Sequence, residues 1–225
     1  MDWSNPMGEI EMYCKPTFMK IPPEKREKIL AVAVNEFAYN GFENANINTI
    51  AKKAEVSVGS LYKYFDTKTD LFLTSVDYAL RNLDIIMETI VETNEDVMVK
   101  LEKLVRVTIE FSRTNTVLIK LYNEVTSESK AELVKKIAEH VESVTSQAYK
   151  KTIIAGQVAG EIRTDIDPGM AAFFVDNLLM NIQFSYACDY YGERYKIYAG
   201  EDIFLKDEFV VENILRFIKA ALKLS

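Results

Sequence analysis

Between residues 46 and 68 the chain reads NINTIAKKAEVSVGSLYKYFDTK, a run that holds Ser57, Gly59, Ser60, Tyr62, Lys63, Tyr64 and Lys68. Hydroxyls, phenols, ammonium groups and one residue without a side chain suit phosphate oxygens and base-pair edges, not bond-making chemistry. Their spacing supplies a common support. Asn46 can accept from a backbone N–H two or three residues on, which caps a helix from Ile47 to about Ala54 with Ile50, Ala51 and Ala54 inward. Glu55 and Val56 turn the chain. Ser57 then caps a second helix, Val58 to Phe65, in which Leu61 and Phe65 stand at i and i+4 and point into one core. Gly59, Ser60, Tyr62, Lys63 and Tyr64 are left outward. In such a helix-turn-helix the second helix enters a major groove while the first crosses the backbone. A third helix is expected just beyond, with Asp66 as its cap and Lys68 in its first turn, where free N–H groups and an ammonium can meet one phosphate.

No other constellation competes with this one. His140 is the only histidine, so a triad, a Cys-His dyad or a multi-histidine metal site would need it, and nothing near it in sequence pairs with it. Neither a nucleophile elbow nor a phosphate-binding glycine loop is present. Catalytic residues, metal ligands and cofactors are therefore not expected, and the chain reads as a binding protein and not an enzyme. Cys14 and Cys188 are too few and too far apart for a disulfide framework, which favours a reducing compartment. The first twenty residues lack a signal-peptide core, and the apolar run Met170 to Cys188 is interrupted by Asp176, Asn177, Asn181 and Gln183, too polar for a membrane span. A soluble, cytoplasmic protein without membrane contact is expected.

The net charge of −7 argues at first against nucleic acid. Its distribution answers that objection. Residues 20–70 carry eight Lys or Arg against seven Asp or Glu, a balance of +1, which leaves −8 for the rest. Local lysines would thus neutralise phosphates.

The run Ile50-Ala51-x-x-Ala54-x-Val56-Ser57-x-Gly59-x-Leu61-Tyr62-x-Tyr64-Phe65-x-x-Lys68-x-x-Leu71, with Phe37-x-x-x-Gly41-Phe42 upstream, resembles the signature of the tetracycline-repressor (TetR) family of bacterial transcription regulators. The resemblance covers residues 22–75. Beyond them only Asp165-x-Asp167-Pro168 and the stretch from Tyr191 to Tyr198 look similar to the family. It implies a double-stranded DNA operator as partner, with Ser60 and Lys63 at base edges and Thr49, Tyr62, Tyr64 and Lys68 on the backbone, beside Ser57 and Gly59. Glu55 departs from the pattern, since many members have glycine there and a left-handed backbone strains Glu modestly.

The elements that position this unit can be read around it. Residues 1–20 show no sustained period and are expected to form a mobile or loosely docked arm. Pro22-Pro23 opens a helix to about Tyr39, with Ile29, Leu30, Ala33, Val34 and Phe37 on one face and Asn40-Gly41 as its stop. Lys25, Arg26 and Lys28 near its start are either a phosphate contact or a solvated face. A long helix from Thr67 to about Ile90 should link the reading unit (residues 21–67) to a larger helical domain (68–225). Further helices are expected over 96–114, 116–126, 129–159, 167–191 and 207–222, with Gly156 and Gly160 loosening one end and Gly192 and Gly200 bracketing a connection. The fold class is all-α: an N-terminal three-helix helix-turn-helix domain plus a larger C-terminal helical bundle.

The resemblance also implies dimerisation and effector binding in the larger domain. Phe173, Phe174, Val175, Leu178, Leu179, Ile182 and Phe184 wrap too widely for one core-facing stripe, as do Val210, Val211, Ile214, Leu215, Phe217 and Ile218, so the last two helices are expected to form a homodimer interface. A small, largely apolar effector is expected among Tyr78, Met87, Phe111, Tyr122, Tyr149, Phe174, Asn177 and Met180. The tyrosines at 186, 190, 191, 195 and 198 fit loop packing at the dimer edge equally well. A constitutive or architectural DNA-binding protein without a small-molecule effector is the alternative, distinguished by a filled core.

Overall fold

The computed structural model describes residues 13–126 and 131–223, and within them the side chains of all but residues 80, 82–84, 125–126, 131–134, 136–137 and 139–145. The expectations for residues 1–12, for the start of the helix over 129–159 and for the side chain of His140 lie outside the described residues. Helices follow one another: α1 (Pro16–Met19), α2 (Pro23–Asn44), α3 (Ile47–Lys53), α4 (Val58–Tyr64), α5 (Lys68–Val91) and α6 (Val97–Thr114). Then come α7 (Thr116–Thr126), α8 (Ala131–Val158), α9 (Pro168–Ala187), α10 (Asp189–Ala199), a 3-10 turn (Ile203–Leu205) and α11 (Asp207–Leu222). Among the described residues there is no strand.

The chain divides into two compact units, one of residues up to Asn82 with Lys120–Val134, the other of Leu83–Ile119 with Lys135–Ser225. The division falls at 82/83 and not at 67/68, because the first turns of α5 belong to the reading unit's core. Leu71, Phe72, Leu73 and Val76 are buried there, and the Phe72 ring lies 5.0 Å from both Phe37 and Phe42. The end of α7 joins the same unit through Glu124, whose Oε1 accepts the Phe42 N–H at 3.2 Å. Gly41 makes this approach possible. Its φ of 72° breaks α2, and a Cβ on it would stand 2.7 Å from the Glu124 carboxylate.

Residues 13–20 are not a loose arm. Phe18 is fully buried, with its ring 5.6 Å from Tyr64 and 4.8 Å from Phe65.

The larger unit is built around α6, whose Leu101, Leu104, Val105, Thr108, Ile109 and Phe111 follow the helical period and are buried. Asp96 caps it, accepting from Met98 N at 2.7 Å. The buried Lys100 ammonium donates to Val91 O at 2.9 Å, satisfying an orphan carbonyl at the end of α5. Helix α6 packs on α9 and α11, and Arg106–Glu208 and Arg113–Asp207 ion pairs, each 2.6 Å, tie α6 to α11.

Two expectations about breaks are corrected. The helix begun at Asp167-Pro168 ends at Ala187, where Cys188 is extended (φ −112°, ψ 130°), and residues 189–199 form a separate helix. Gly192 lies inside it, at a point where a Cβ would come within 3.3 Å of Ser185 O. Gly156 likewise loosens nothing. It sits inside α8, where a Cβ would meet Ile162 at 2.8 Å and Val97 at 2.9 Å, so glycine permits close packing there.

Candidate nucleic-acid interface

The helix-turn-helix is held by local caps. Asn46 Oδ1 accepts from Asn48 N at 2.8 Å to start α3, and Ser57 Oγ accepts from Ser60 N at 3.0 Å to start α4. Ser57 and Ser60 also share a hydroxyl hydrogen bond of 2.8 Å, so Ser57 serves the cap while Ser60 remains half-exposed. Ile50, Ala51, Ala54, Leu61 and Phe65 are all buried. Glu36 braces the start of α3 from within α2: it is 6% exposed and accepts from Asn46 N and Lys53 Nζ, each at 3.3 Å.

The turn has the left-handed residue anticipated at the departure from the family pattern. Glu55 has φ 58°, and its carboxylate meets Lys28 Nζ at 2.6 Å. That hydrogen bond and charge hold the Glu55 carboxyl below the usual carboxylate range. The basic cluster at the start of α2 is therefore split between partners. Lys28, itself exposed, pairs with Glu55, and Arg26 Nη1 donates to Met19 O at 2.6 Å and Ile21 O at 3.0 Å, while Lys25 is exposed as well.

On the outward face of α4, Gly59, Tyr62 and Lys63 are exposed, and Thr49 on α3 is half-exposed. A Cβ on Gly59 would find only Ser57 Oγ, at 3.9 Å. Tyr64 is a correction. Expected outward, it is 9% exposed, because Phe18 covers its ring from 46 residues upstream. The cap of α5 is a second. Thr67 takes that place, its N–H donating to Asp70 Oδ2 at 2.9 Å and its Oγ1 accepting from Asp70 N at 3.1 Å, a capping box. Asp66 instead pairs with Lys15 at 2.6 Å. Lys68 stands in the first turn as expected, with Nζ donating to Glu43 O at 3.0 Å and lying 5.1 Å from the Phe42 ring centroid.

In the larger unit a cavity of about 590 Å³, open on one side, lies between α8 and α9. Of the residues expected around an effector, Tyr149, Asn177 and Met180 line this cavity. Ser146, Gln147, Lys150, Gly169, Ala172, Phe173 and Asp176 complete it. The α9 members fall at i, i+3, i+4, i+7, i+8 and i+11 from Gly169, a helical stripe that Asn177 alone could have located. The other expected residues stand elsewhere. Met87 and Phe111 are buried outside this lining, Phe174 is exposed, and Tyr78 and Tyr122 belong to the reading unit. Burial pushes the Tyr149 phenol well above its usual pKa, with the Asp176 charge adding to the effect, so it remains a neutral donor.

Besides Phe173 and Phe174, Met170 on α9 and Phe209 and Phe217 on α11 are exposed. Val175, Leu179 and Phe184, and Val210, Val211, Leu215 and Ile218, are buried. Each helix thus presents apolar groups both inward and outward. Of the tyrosines near Cys188, Tyr190 and Tyr198 are exposed, whereas Tyr186 and Tyr195 pack. Tyr186 donates to Asp207 Oδ1 at 2.7 Å beneath the Arg113 guanidinium, and Tyr186 and Tyr195 set their rings edge-on to Phe204.

Residues 29–74 match the model of the family described as "Bacterial regulatory proteins, tetR family". The chain is 25% identical over 167 residues to the "Uncharacterized HTH-type transcriptional regulator YhgD" of Bacillus subtilis (strain 168), covering 72% of this chain and 84% of that one. To the "HTH-type transcriptional repressor KstR" of Mycolicibacterium smegmatis it is 30% identical over 61 residues, 27% of this chain and 30% of the other. Among solved structures, the transcriptional regulator FadR from Bacillus subtilis in complex with stearoyl-CoA has the same fold, with a TM-score of 0.69 at 20% identity over 84% of this chain and 96% of that one.

Proposed function

We propose that this chain, which belongs to the tetR family of bacterial regulatory proteins, is a homodimeric repressor that a small, largely apolar effector releases from its operator. The observation that carries the DNA-binding reading is α4 itself. Its outward face offers Gly59, Ser60, Tyr62 and Lys63 together, on a helix whose other faces are buried. Ser60 and Lys63 read base edges, and Thr49, Tyr62 and Lys68 position the backbone.

The dimer forms through α9 and α11, whose exposed Phe173, Phe174, Phe209 and Phe217 a twofold mate would cover. Two recognition helices enter successive major grooves only when set roughly 34–36 Å apart. Spacing is then the quantity an effector controls. Helices α5 and α7 each have residues in both units, so a ligand that favours one setting of these helices shifts the population of DNA-competent dimers. The cavity between α8 and α9 supports the effector reading over constitutive binding, with the apolar Phe173, Ala172 and Met180 beside the polar Tyr149, Asn177 and Lys150. Stearoyl-CoA, named with the structurally similar FadR, makes acyl compounds the first ligands to try.

The experiment is to select operator sequences from a random library with the purified protein, then screen apolar and acyl compounds by thermal shift. Ligands that raise the melting temperature should weaken operator binding. Tight ligands that leave DNA affinity untouched would favour the constitutive alternative, and a monomer by sedimentation at micromolar concentration would remove the dimer.

A further inference from the structure

At seven residues, α4 is too short to persist alone in water, where helices below about 12 residues are marginal. Ser57 caps its start. Its end has no internal solution, because Phe65 is extended (φ −132°, ψ 135°) and the chain has left the helix where later amides would stand. The carbonyls of Tyr62, Lys63 and Tyr64 would be orphaned. Each instead takes a donor from one short upstream segment: Lys15 Nζ reaches Tyr62 O at 2.9 Å, Thr17 Oγ1 reaches Lys63 O at 2.5 Å, and the Lys15 N–H reaches Tyr64 O at 2.7 Å.

The same segment is anchored on both sides. Phe18 is fully buried against Tyr64 and Phe65, and the carbonyls of Met19 and Ile21 accept the Arg26 guanidinium of α2. The Lys15 ammonium also stands at the negative end of the helix and pairs with Asp66 at 2.6 Å. The clamping segment itself, Lys15 to Ile21, lies before residue 29, outside the segment that matches the family model.

We propose that Lys15 and Thr17 are positioning residues for operator reading, clamping the last turn of α4 so that Lys63 projects at a fixed angle into the groove and Tyr62 toward the DNA backbone. This rests on the assignment of α4 as the DNA-reading helix. Without the clamp the last turn frays, and the side chain that suffers is Lys63, whose own carbonyl Thr17 holds. Base discrimination then falls more than general DNA affinity, which long-range charge supplies.

The test uses the full chain and the DNA site that the wild-type protein selects from a random library. Thr17→Val removes one donor from an exposed residue while keeping its shape, and Lys15→Met removes the ammonium while keeping the apolar stem. Each should weaken binding to the selected site about fivefold, the effect of one hydrogen bond. Affinity for random-sequence DNA should change less than about twofold with Thr17→Val. The ratio between selected and single-base-altered sites should contract, and amide exchange at Tyr62 to Tyr64 should quicken. Lys15→Arg, which keeps a donor and a charge, should restore most of the loss. A lowered melting temperature with an unchanged specificity ratio would reduce the segment to a stabilising role and overturn the proposal. Absence of any selected site for the wild type would remove the DNA-reading assignment as well, whereas a normal wild-type site with unaltered variants would remove the clamp alone.

Discussion

Replacing Gly59 by alanine separates the fold's interest from the interface's, because the two respond with opposite sign. Glycine costs a helix roughly 0.5–1 kcal/mol relative to alanine through backbone entropy. Gly59 has an ordinary negative-φ backbone, and a Cβ there would meet nothing nearer than Ser57 Oγ at 3.9 Å. The variant should therefore be more stable, by about 0.5 kcal/mol so near the helix start, or roughly 1–2 °C in melting temperature for a chain of this size. Against DNA the same methyl lies on the exposed face beside Ser60 and Lys63, where it holds the helix off the groove and disrupts a specific contact worth about 1–3 kcal/mol. That converts to a loss of on the order of 5- to 150-fold in operator affinity. Thermal melting and operator titration at fixed salt measure the two effects. A more stable protein with operator affinity unchanged within about twofold would show that this face of α4 does not approach DNA.

Lys68→Ala should weaken all DNA sequences alike and lower the slope of log affinity against log salt by about one unit, a change that salt titration reads directly. Glu55→Gly should raise the midpoint of urea melts, since relief of the left-handed strain at φ 58° outweighs loss of an exposed Lys28 pair. Arg106 holds the Glu208 carboxyl below its ordinary 4.5, so this group's contribution is present above that value and is lost as pH falls through the lower folded one. Glu208→Gln should accordingly flatten the acid side of the melting-temperature profile slightly, more at low salt than at high, and an unchanged acid limb at low salt would place the linkage elsewhere.

What could be read in advance followed the range of the interactions. The caps at Asn46, Ser57 and Asp167 were legible because donor and acceptor stand within three residues. Glu55 was legible as a left-handed turn because that geometry is local as well. Tyr64 was misread because the residue that covers it, Phe18, lies in a four-residue helix too short to show a period.

Glycine marks the limit most clearly, since one residue type answers two needs. Gly41 does end a regular stretch, with φ 72°, and leaves room for Glu124. Gly156 and Gly192 instead lie within helices, where the neighbours a Cβ would strike are Val97, Ile162 and Ser185. Telling a break from a close approach requires knowing which element passes by, and for Gly156 that element begins almost sixty residues away. The same dependence governs the cavity. Its α9 stripe follows from helical spacing once one member is known, but its partner on α8 is set by which helices pack together. On the proposed effector reading, the cavity lined from α8 and α9 is where a ligand would be recognised, and substitutions at Tyr149 and Asn177 should alter ligand preference while leaving the α4 surface and its DNA affinity in the ligand-free protein intact.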